Sequence, residues 1–543
     1  MAITKVTRVE PFLNPVHSKG GEMKRRFVLI TVLALLGILL SACGGGGAAS
    51  NQKPLKFAVY ALNSEPLTSW DPAIEYSNGI HVHNNMYEQL LRYDAINKKI
   101  IPLLAESYTI SDDGLTWTFK LRQGVKFQNG DPLTAEDVKY SIERTMQLGA
   151  GASYIWSAVN AINVVDPQTV EFKLSYKAPL DLIASTGYAA FIYSKKCVKE
   201  DNTWIDEAKG CGTGPYMLKS SKWGDEVILE KYADYWGGWQ ENSFDVVIFR
   251  KVAEPATRRQ MIETGEATIT VELPYTDIEA LKNNPNVTVY VEPSFQNLIA
   301  MFNTQKAPLD NVDVRRALSY AFPYEQVIKT AIGGYGRQSY GMVPYGLWGW
   351  SDKLPRYEYN LDKAREYLQK AGYGEGGFKL LLTYTAGNEA EKSAAELYKS
   401  ELAKLNIDLE IRGMPWDSQW ELAKGAPENR QDILMMYWWP DMPSPYSMLY
   451  STFHSEDEPL FNLAYYKNPQ FDQLIDTANE ITSTDFAKAE QMFIEAQRIL
   501  LDEAVSLFIY DREDVWVTVK NLQGFKFNPA YPTVVFFHEL TMK

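Results

Sequence analysis

The run Leu380-Leu381-Leu382-Thr383-Tyr384, then Glu389 to Leu405, then Asp408-Leu409-Glu410-Ile411-Arg412 reads as strand, helix, strand. Two short extended segments bracketing one long helical segment point to an α/β lobe. A further apolar strand, Ile433 to Tyr437, leads into Trp438-Trp439-Pro440-Asp441-Met442-Pro443-Ser444-Pro445. Open α/β sheets bind their ligands at the carboxyl ends of strands. Proline fixes φ and lacks a donor, so this loop is stiff and belongs to neither a helix interior nor a central strand. Two readings of Asp441 stand side by side. It caps backbone amides in a buried aromatic turn, or it receives a cation between walls supplied by Trp438 and Trp439.

Outward from this centre the same periodicities recur. Val287, Val289 and Val291 alternate, and a second extended run, Leu298 to Phe302, follows; together they suit a passage from one lobe to another. Asn311 and Asn360 are expected to cap helices, the second ending at Gly372. Two amphipathic helices follow late in the chain, on Phe471, Ile475 and Ala478 and on Phe493, Ala496 and Leu500. Upstream, Trp117, Phe119 and Leu121 mark a half-buried strand, and Thr134 to Asp137 matches a capping box. Asn84 to Leu91 is expected to be helical. Gly212-Thr213-Gly214-Pro215 has no following G-K-[ST] and reads as a tight turn rather than a phosphate cradle.

A chain of 543 residues exceeds one ordinary core, so two or three lobes are expected. Its net charge of −14 argues against a nucleic-acid partner. Near the amino end, Met23-Lys24-Arg25-Arg26 precedes the apolar run Phe27 to Leu40 and then Leu40-Ser41-Ala42-Cys43. This has the order of a lipoprotein signal peptide (23–42) with Cys43 as the lipidated first residue. Residues 1–22 read as an upstream mis-start, with translation expected from Met23. Residues 43–52 read as a flexible tether. The body is then exported, either lipid-anchored at the outer face of the cell membrane or periplasmic.

Of three cysteines, Cys197 and Cys211 remain. In an exported protein such a pair is most simply a disulfide. A metal site is the alternative, and it is discounted because no histidine lies nearby. No cofactor is expected. No G-x-S-x-G, H-E-x-x-H or C-x-x-C occurs, and catalysis is not expected.

Several stretches together resemble one family, the extracellular solute-binding proteins of family 5, which serve ABC importers. They are Leu104-Ala105-Glu106-Ser107, Asp112 to Arg122, Phe127 to Gly130 with Leu133 to Val138, Gly212 to Tyr216, Tyr235-Trp236-Gly237-Gly238, and Asn303 with Pro308-Leu309 and Val312 to Leu318. The resemblance implies an α/β, periplasmic-binding-protein-like fold with two jaws joined by a hinge. It implies three lobes, one of them discontinuous: lobe I from 53–92, 206–290 and 510–543, lobe II from 93–205, and lobe III from 291–509.

It also implies a monomer that captures di- or oligopeptides by jaw closure and delivers them to the transmembrane subunits of a permease. The membrane would be met only through the lipid anchor. In peptide-binding members an Asp in a W-x-x-D segment takes the peptide's α-ammonium. Here that segment is Trp438-Trp439-Pro440-Asp441, which assigns Asp441 the charge and Trp438 and Trp439 the walls. Tyr76, Ser77, Asn78, Phe295 and Asn297 are further candidate ligand contacts. Pro440, Met442 and Pro443 depart from the peptide-binder pattern, so oligosaccharide or nickel-chelate binding is the alternative.

Overall fold

Alternation of small and aromatic residues in Phe57–Leu62 produces a strand, β1, whose inward side chains are fully buried. It is the first element in a computed structural model of the chain, which describes residues 55–543 apart from Glu458 and the Asp417 side chain. The stretch 1–22, the expected signal peptide 23–42, Cys43 and the expected tether 43–52 lie outside the described residues. No described helix is long and apolar enough to cross a membrane.

After β1 comes helix α1, Ile80–Met86. The helix expected over Asn84 to Leu91 therefore sits a turn earlier. Tyr87 is already extended at φ −119° and ψ 160°, which ends the helix, and Leu91–Asp94 is a strand instead. Four antiparallel strands, β2 (Ala105–Ile110), β3 (Thr116–Leu121), β4 (Val159–Asp166) and β5 (Thr169–Leu174), pair in the order β2-β3-β5-β4. Helix α2, Ala135–Leu148, begins at Thr134, whose backbone N–H and hydroxyl both donate to Asp137, closing the expected capping box. Trp117, Phe119, Phe172, Val138 and Ile142 form the core beneath it.

A second sheet has 11 strands. Its members along the chain are β1, β6 (Tyr216–Lys222), β7 (Glu226–Lys231), β8 (Val246–Lys251), β9 (Ile269–Val271), β10 (Val287–Phe302), β11 (Gly336–Gln338), β12 (Lys379–Thr385), β13 (Asp408–Met414), β14 (Ile433–Trp438) and β15 (Ser506–Val519). Their spatial order is β13-β12-β14-β10-β15-β9-β1-β8-β7-β6, with β11 added on β15. The sequence reading of 380–412 holds: β12 and β13 are parallel, with Leu382 opposite Ile411, and helix α3, Glu389–Ala403, connects them. Asn388, Asn360 and Asn311 each cap a helix through their side-chain oxygens.

The two extended runs at 287–302 are one strand rather than two. β10 pairs antiparallel with β15 from Val287 opposite Val519 to Met301 opposite Ser506, and its register slips between Pro293 and Asn297. Pro293 cannot donate to a ladder, so the irregularity falls where the sequence looked interrupted. These two strands join the two halves of the sheet. One half shares a core of Ala58, Tyr60, Val247, Ile269, Trp516 and Phe537, built from early, middle and carboxyl-terminal chain. Phe191, Tyr193, Cys197 and Trp204 join that core too. The other half is packed on both faces. Leu298, Ala300 and Ile433 meet α3 and its neighbours on one side, while Met301, Met436 and Phe508 meet late helices on the other.

Gly212 and Gly214 show why the tight turn needs glycine. A Cβ on Gly212 would stand 1.8 Å from the Met86 carbonyl oxygen. Cys197 and Cys211 form a disulfide beside it.

Candidate functional site

Strand β14 ends at Trp438, and helix α4, Pro445–Phe453, starts seven residues later. Proline at the first helical position and Ser444 as the cap fix that start; the Ser444 hydroxyl accepts from the Tyr446 N–H at 3.2 Å. Ser447, one turn in, turns back toward the loop. Its Oγ accepts the Asp441 N–H at 2.8 Å and the Met442 N–H at 3.4 Å. Trp348 Nε1 donates to the Pro443 carbonyl at 2.9 Å. The loop is thus fastened by backbone hydrogen bonds, leaving the Asp441 carboxylate unused by its own turn.

That carboxylate is met from the side of the four-stranded sheet. Tyr154 lies in the turn Ser153–Trp156 beside the four-stranded sheet, and its hydroxyl donates to Asp441 Oδ2 at 2.9 Å. The same hydroxyl is 3.3 Å from Ser447 Oγ. Its ring stacks on Tyr450 with centroids 5.9 Å apart and an interplanar angle of 14°. Met442 inserts into the core beneath that sheet. Among the described residues no Lys, Arg or His forms an ion pair with Asp441. Burial pushes its carboxyl up to about 6, and the Tyr154 hydrogen bond partly opposes the rise. Tyr154 is driven well above its ordinary value, first by burial and then by the Asp441 charge, so it stays a donor at any physiological pH.

The two indoles diverge. Trp438 lies opposite Asn297 in the sheet and packs edge-on against Phe461, centroids 5.6 Å apart. Trp439 packs against the core of the four-stranded sheet and faces Tyr188. Tyr188 in turn feels the charges of both Asp441 and Glu75. Glu75 holds the segment carrying the early candidates: it accepts from the Ser77 N–H at 2.7 Å, from the Ser69 N–H and from the Thr68 hydroxyl. Tyr76 is 45% exposed, and its ring would be 3.4 Å from a Cβ on Gly151, two residues before the turn of Tyr154. Asn78 lies two residues before α1, its carbonyl accepting from the His81 N–H. The loop 75–78, the turn at 151–156 and the loop at 438–445 therefore converge.

Phe295 is packed in the core with Met342 and Trp348, 3% exposed, and presents no open face. Asn297 is fully buried; its amide donates to the Met342 carbonyl at 2.7 Å while Oδ1 has no partner. Tyr154, Tyr188 and Tyr450 had no signal in the sequence. Tyr154 reaches its carboxylate across 287 residues of chain, and nothing in the local pattern marks a tyrosine with so distant a partner.

Among the described residues Asp441 thus stands without a cation, between the loop that follows β14 and the turn beside the four-stranded sheet. Residues 99–459 match the family described as "Bacterial extracellular solute-binding proteins, family 5 Middle", and the chain belongs to it. A probable D,D-dipeptide-binding periplasmic protein of Escherichia coli is 29% identical over 498 residues, covering 89% of this chain and 93% of that protein. A glutathione-binding protein of Salmonella typhi is 30% identical over 458 residues, covering 82% of this chain and 87% of its own length. Among solved structures, the ABC transporter-associated periplasmic binding protein of Helicobacter pylori in complex with the peptide STSA superposes with a TM-score of 0.78. It is 26% identical, and the match covers 90% of this chain and 98% of that one.

Proposed function

We propose that this chain is the solute-capturing component of an ABC importer, and that it takes di- or oligopeptides whose free amino end is held by Asp441. The observation that carries the reading is the Tyr154–Asp441 contact: a carboxylate without a cation among the described residues, met by a neutral hydroxyl from the turn beside the four-stranded sheet. A carboxylate removed from water is stabilised by a charge far better than by one hydroxyl. An ammonium group arriving at Asp441 fills that need, and closure around it completes the desolvation. Trp439 and Tyr188 supply the adjoining aromatic surface. Asp441, Trp438, Trp439, Tyr76, Ser77, Asn78 and Asn297 border the proposed site, and Phe295 supports it from the core. The peptide-binding and glutathione-binding relatives support the solute class.

The two long strands β10 and β15 are the proposed hinge, and the three lobes keep the boundaries given above, with Phe191–Trp204 packing on the first lobe. A solute favours the closed form by as much as it binds that form more tightly, and the permease then reads closure. The protein binds its solute without transforming it. It works outside the cytoplasmic membrane as a monomer, tethered by lipid on Cys43.

A thermal-shift screen tests the reading against its alternatives. Dipeptides and longer peptides raise the melting temperature by the amount expected from RT ln(1 + [L]/Kd), while cello-oligosaccharides and nickel–histidine leave it unchanged. Stabilisation by a sugar or the nickel chelate alone overturns it.

A further inference from the structure

Beyond the Tyr154–Tyr450 stack lies a second cavity, of about 220 Å³, lined by Tyr176, Tyr446, Tyr450, His454, Asp476, Asn479 and Glu480. We propose that it is a guanidinium- or ammonium-accepting subsite, which makes the protein select peptides carrying an arginine or lysine side chain. The proposal rests on the reading of Asp441 as the amino-end anchor.

Three observations build it. First, the wall residues come from both bodies: Tyr176 follows β5 of the four-stranded sheet, and the other six sit on α4 or its end and on a helix spanning Pro469–Ile481. Asp476, Asn479 and Glu480 are spaced i, i+3 and i+4, so they share one helical face. Tyr446 and Tyr450, four apart, share a face of α4, and His454 follows its last residue.

Second, the lining holds two carboxylates and no lysine or arginine. Asp476 accepts from the Tyr446 hydroxyl at 3.3 Å and lies 3.3 Å from His454 Nε2, its side chain remaining 44% exposed. His454 is the one residue of the lining that can carry positive charge. Tyr446 and Tyr450 stand 4.9 Å apart and Tyr450 and His454 4.6 Å, giving a continuous aromatic floor. Aromatic faces beside carboxylates attract cations and stack well on guanidinium.

Third, Asn479 is 4% exposed, and its Oδ1 has no hydrogen-bond partner. A buried acceptor without a donor is costly. Guanidinium carries five N–H donors in a planar fork, enough to reach this oxygen and a carboxylate together. An apolar or anionic side chain would leave the oxygen unpaired.

Calorimetry on matched peptides tests this. Di- and tripeptides with a free amino end are compared in pairs, arginine against its neutral isostere citrulline at each position. At one position the arginine peptide is expected to bind at least tenfold more tightly. Asp476→Asn and Glu480→Gln are each expected to reduce that ratio at least threefold, whereas Asp441→Asn weakens both members of every pair and keeps the ratio. Melting curves check that the variants fold; the wild-type ratios are decisive without them. Peptides that bind with ratios within twofold at every position overturn the subsite and leave Asp441 standing. A tenfold preference that survives the folded Asp476→Asn/Glu480→Gln double variant also overturns it. Failure of all free-amine peptides to bind removes the Asp441 reading, and the subsite with it.

Discussion

Tyr154, in the turn beside the four-stranded sheet, donates a 2.9 Å hydrogen bond to Asp441, in the loop that follows β14, across 287 residues of chain. Burial holds the Asp441 carboxyl up at about 6, and this bond opposes the rise by favouring the charged form. Tyr154→Phe removes the donor and retains the ring stacked on Tyr450. Carbon-13 titration of the Asp441 carboxyl is expected to show its pKa rising further in this variant. An unchanged or lower value would mean that the hydroxyl does not reach the carboxylate in solution.

Peptide affinity should follow the ionisation of Asp441. Above about pH 6 the carboxylate is charged and ready for an ammonium group; below it, protonation competes. The dissociation constant is expected to rise about tenfold per unit on the acid side of that midpoint, and to rise again above about pH 8 as the peptide's own α-amino group loses its proton. Asp441→Asn should abolish this profile and weaken binding by roughly 2–5 kcal/mol, the usual cost of losing one partner of a buried charged contact. A variant with wild-type affinity would exclude Asp441 from the site.

A second carboxyl governs stability rather than binding. Asp511 is 2% exposed, accepts from the Ser339 hydroxyl at 2.6 Å and from the Tyr345 N–H at 2.9 Å, and is pushed up to about 7 by burial. Its unfolded value is the ordinary one near 3.9. Between those values the folded chain holds a proton that the unfolded chain has released, so stability falls as pH rises from about 4 to about 7. Asp511→Asn should therefore be more stable than the wild type at pH 8, by about 2 kcal/mol after allowance for relaxation. The gap should shrink toward pH 5 in thermal melts. Glu391, also pushed up to about 7, keeps part of the slope in the variant. Equal pH slopes would show that Asp511 is not strained by burial.

Arg512 sits where β10 and β15 slip register. Its guanidinium contacts Glu272, approaches Asp514 Oδ1 at 3.2 Å and donates to Gln296 Oε1 at 2.9 Å. Arg512→Met leaves Asp514, 8% exposed at its side chain, beside Glu272 and without its ion-pair partner. Urea denaturation is expected to show a loss of about 3–5 kcal/mol, as when one member of a buried pair is removed. A loss below about 1 kcal/mol would reduce the cluster to a surface interaction.

Local chemistry made much of this architecture readable. Alternation at Trp117, Phe119 and Leu121 gave a strand because one face is buried. Thr134 with Asp137, and Asn311 and Asn360, marked helix starts because orphan amides need side-chain oxygens. The α/β order of 380–412 was visible because helix and strand periods differ so sharply. Long-range matters were not visible. Val287–Phe302 looked like two runs because Pro293 breaks the pattern, yet β15 pairs with both parts. Asp441 could be named from its proline-bound loop, whereas Tyr154 could not, since its role depends on closure between segments 287 residues apart. Phe295 was placed near solute by its position between the two extended runs; its side chain packs with Met342 and Trp348 in the irregular stretch between Pro293 and Asn297.

Calorimetry with peptides of two to five residues, each with a free and with an acetylated amino end, tests the central claim most directly. Acetylation removes the ammonium charge and little else. The account predicts measurable binding of free-amine peptides and affinities at least a hundredfold weaker for their acetylated partners. Equal affinity within each pair would contradict it.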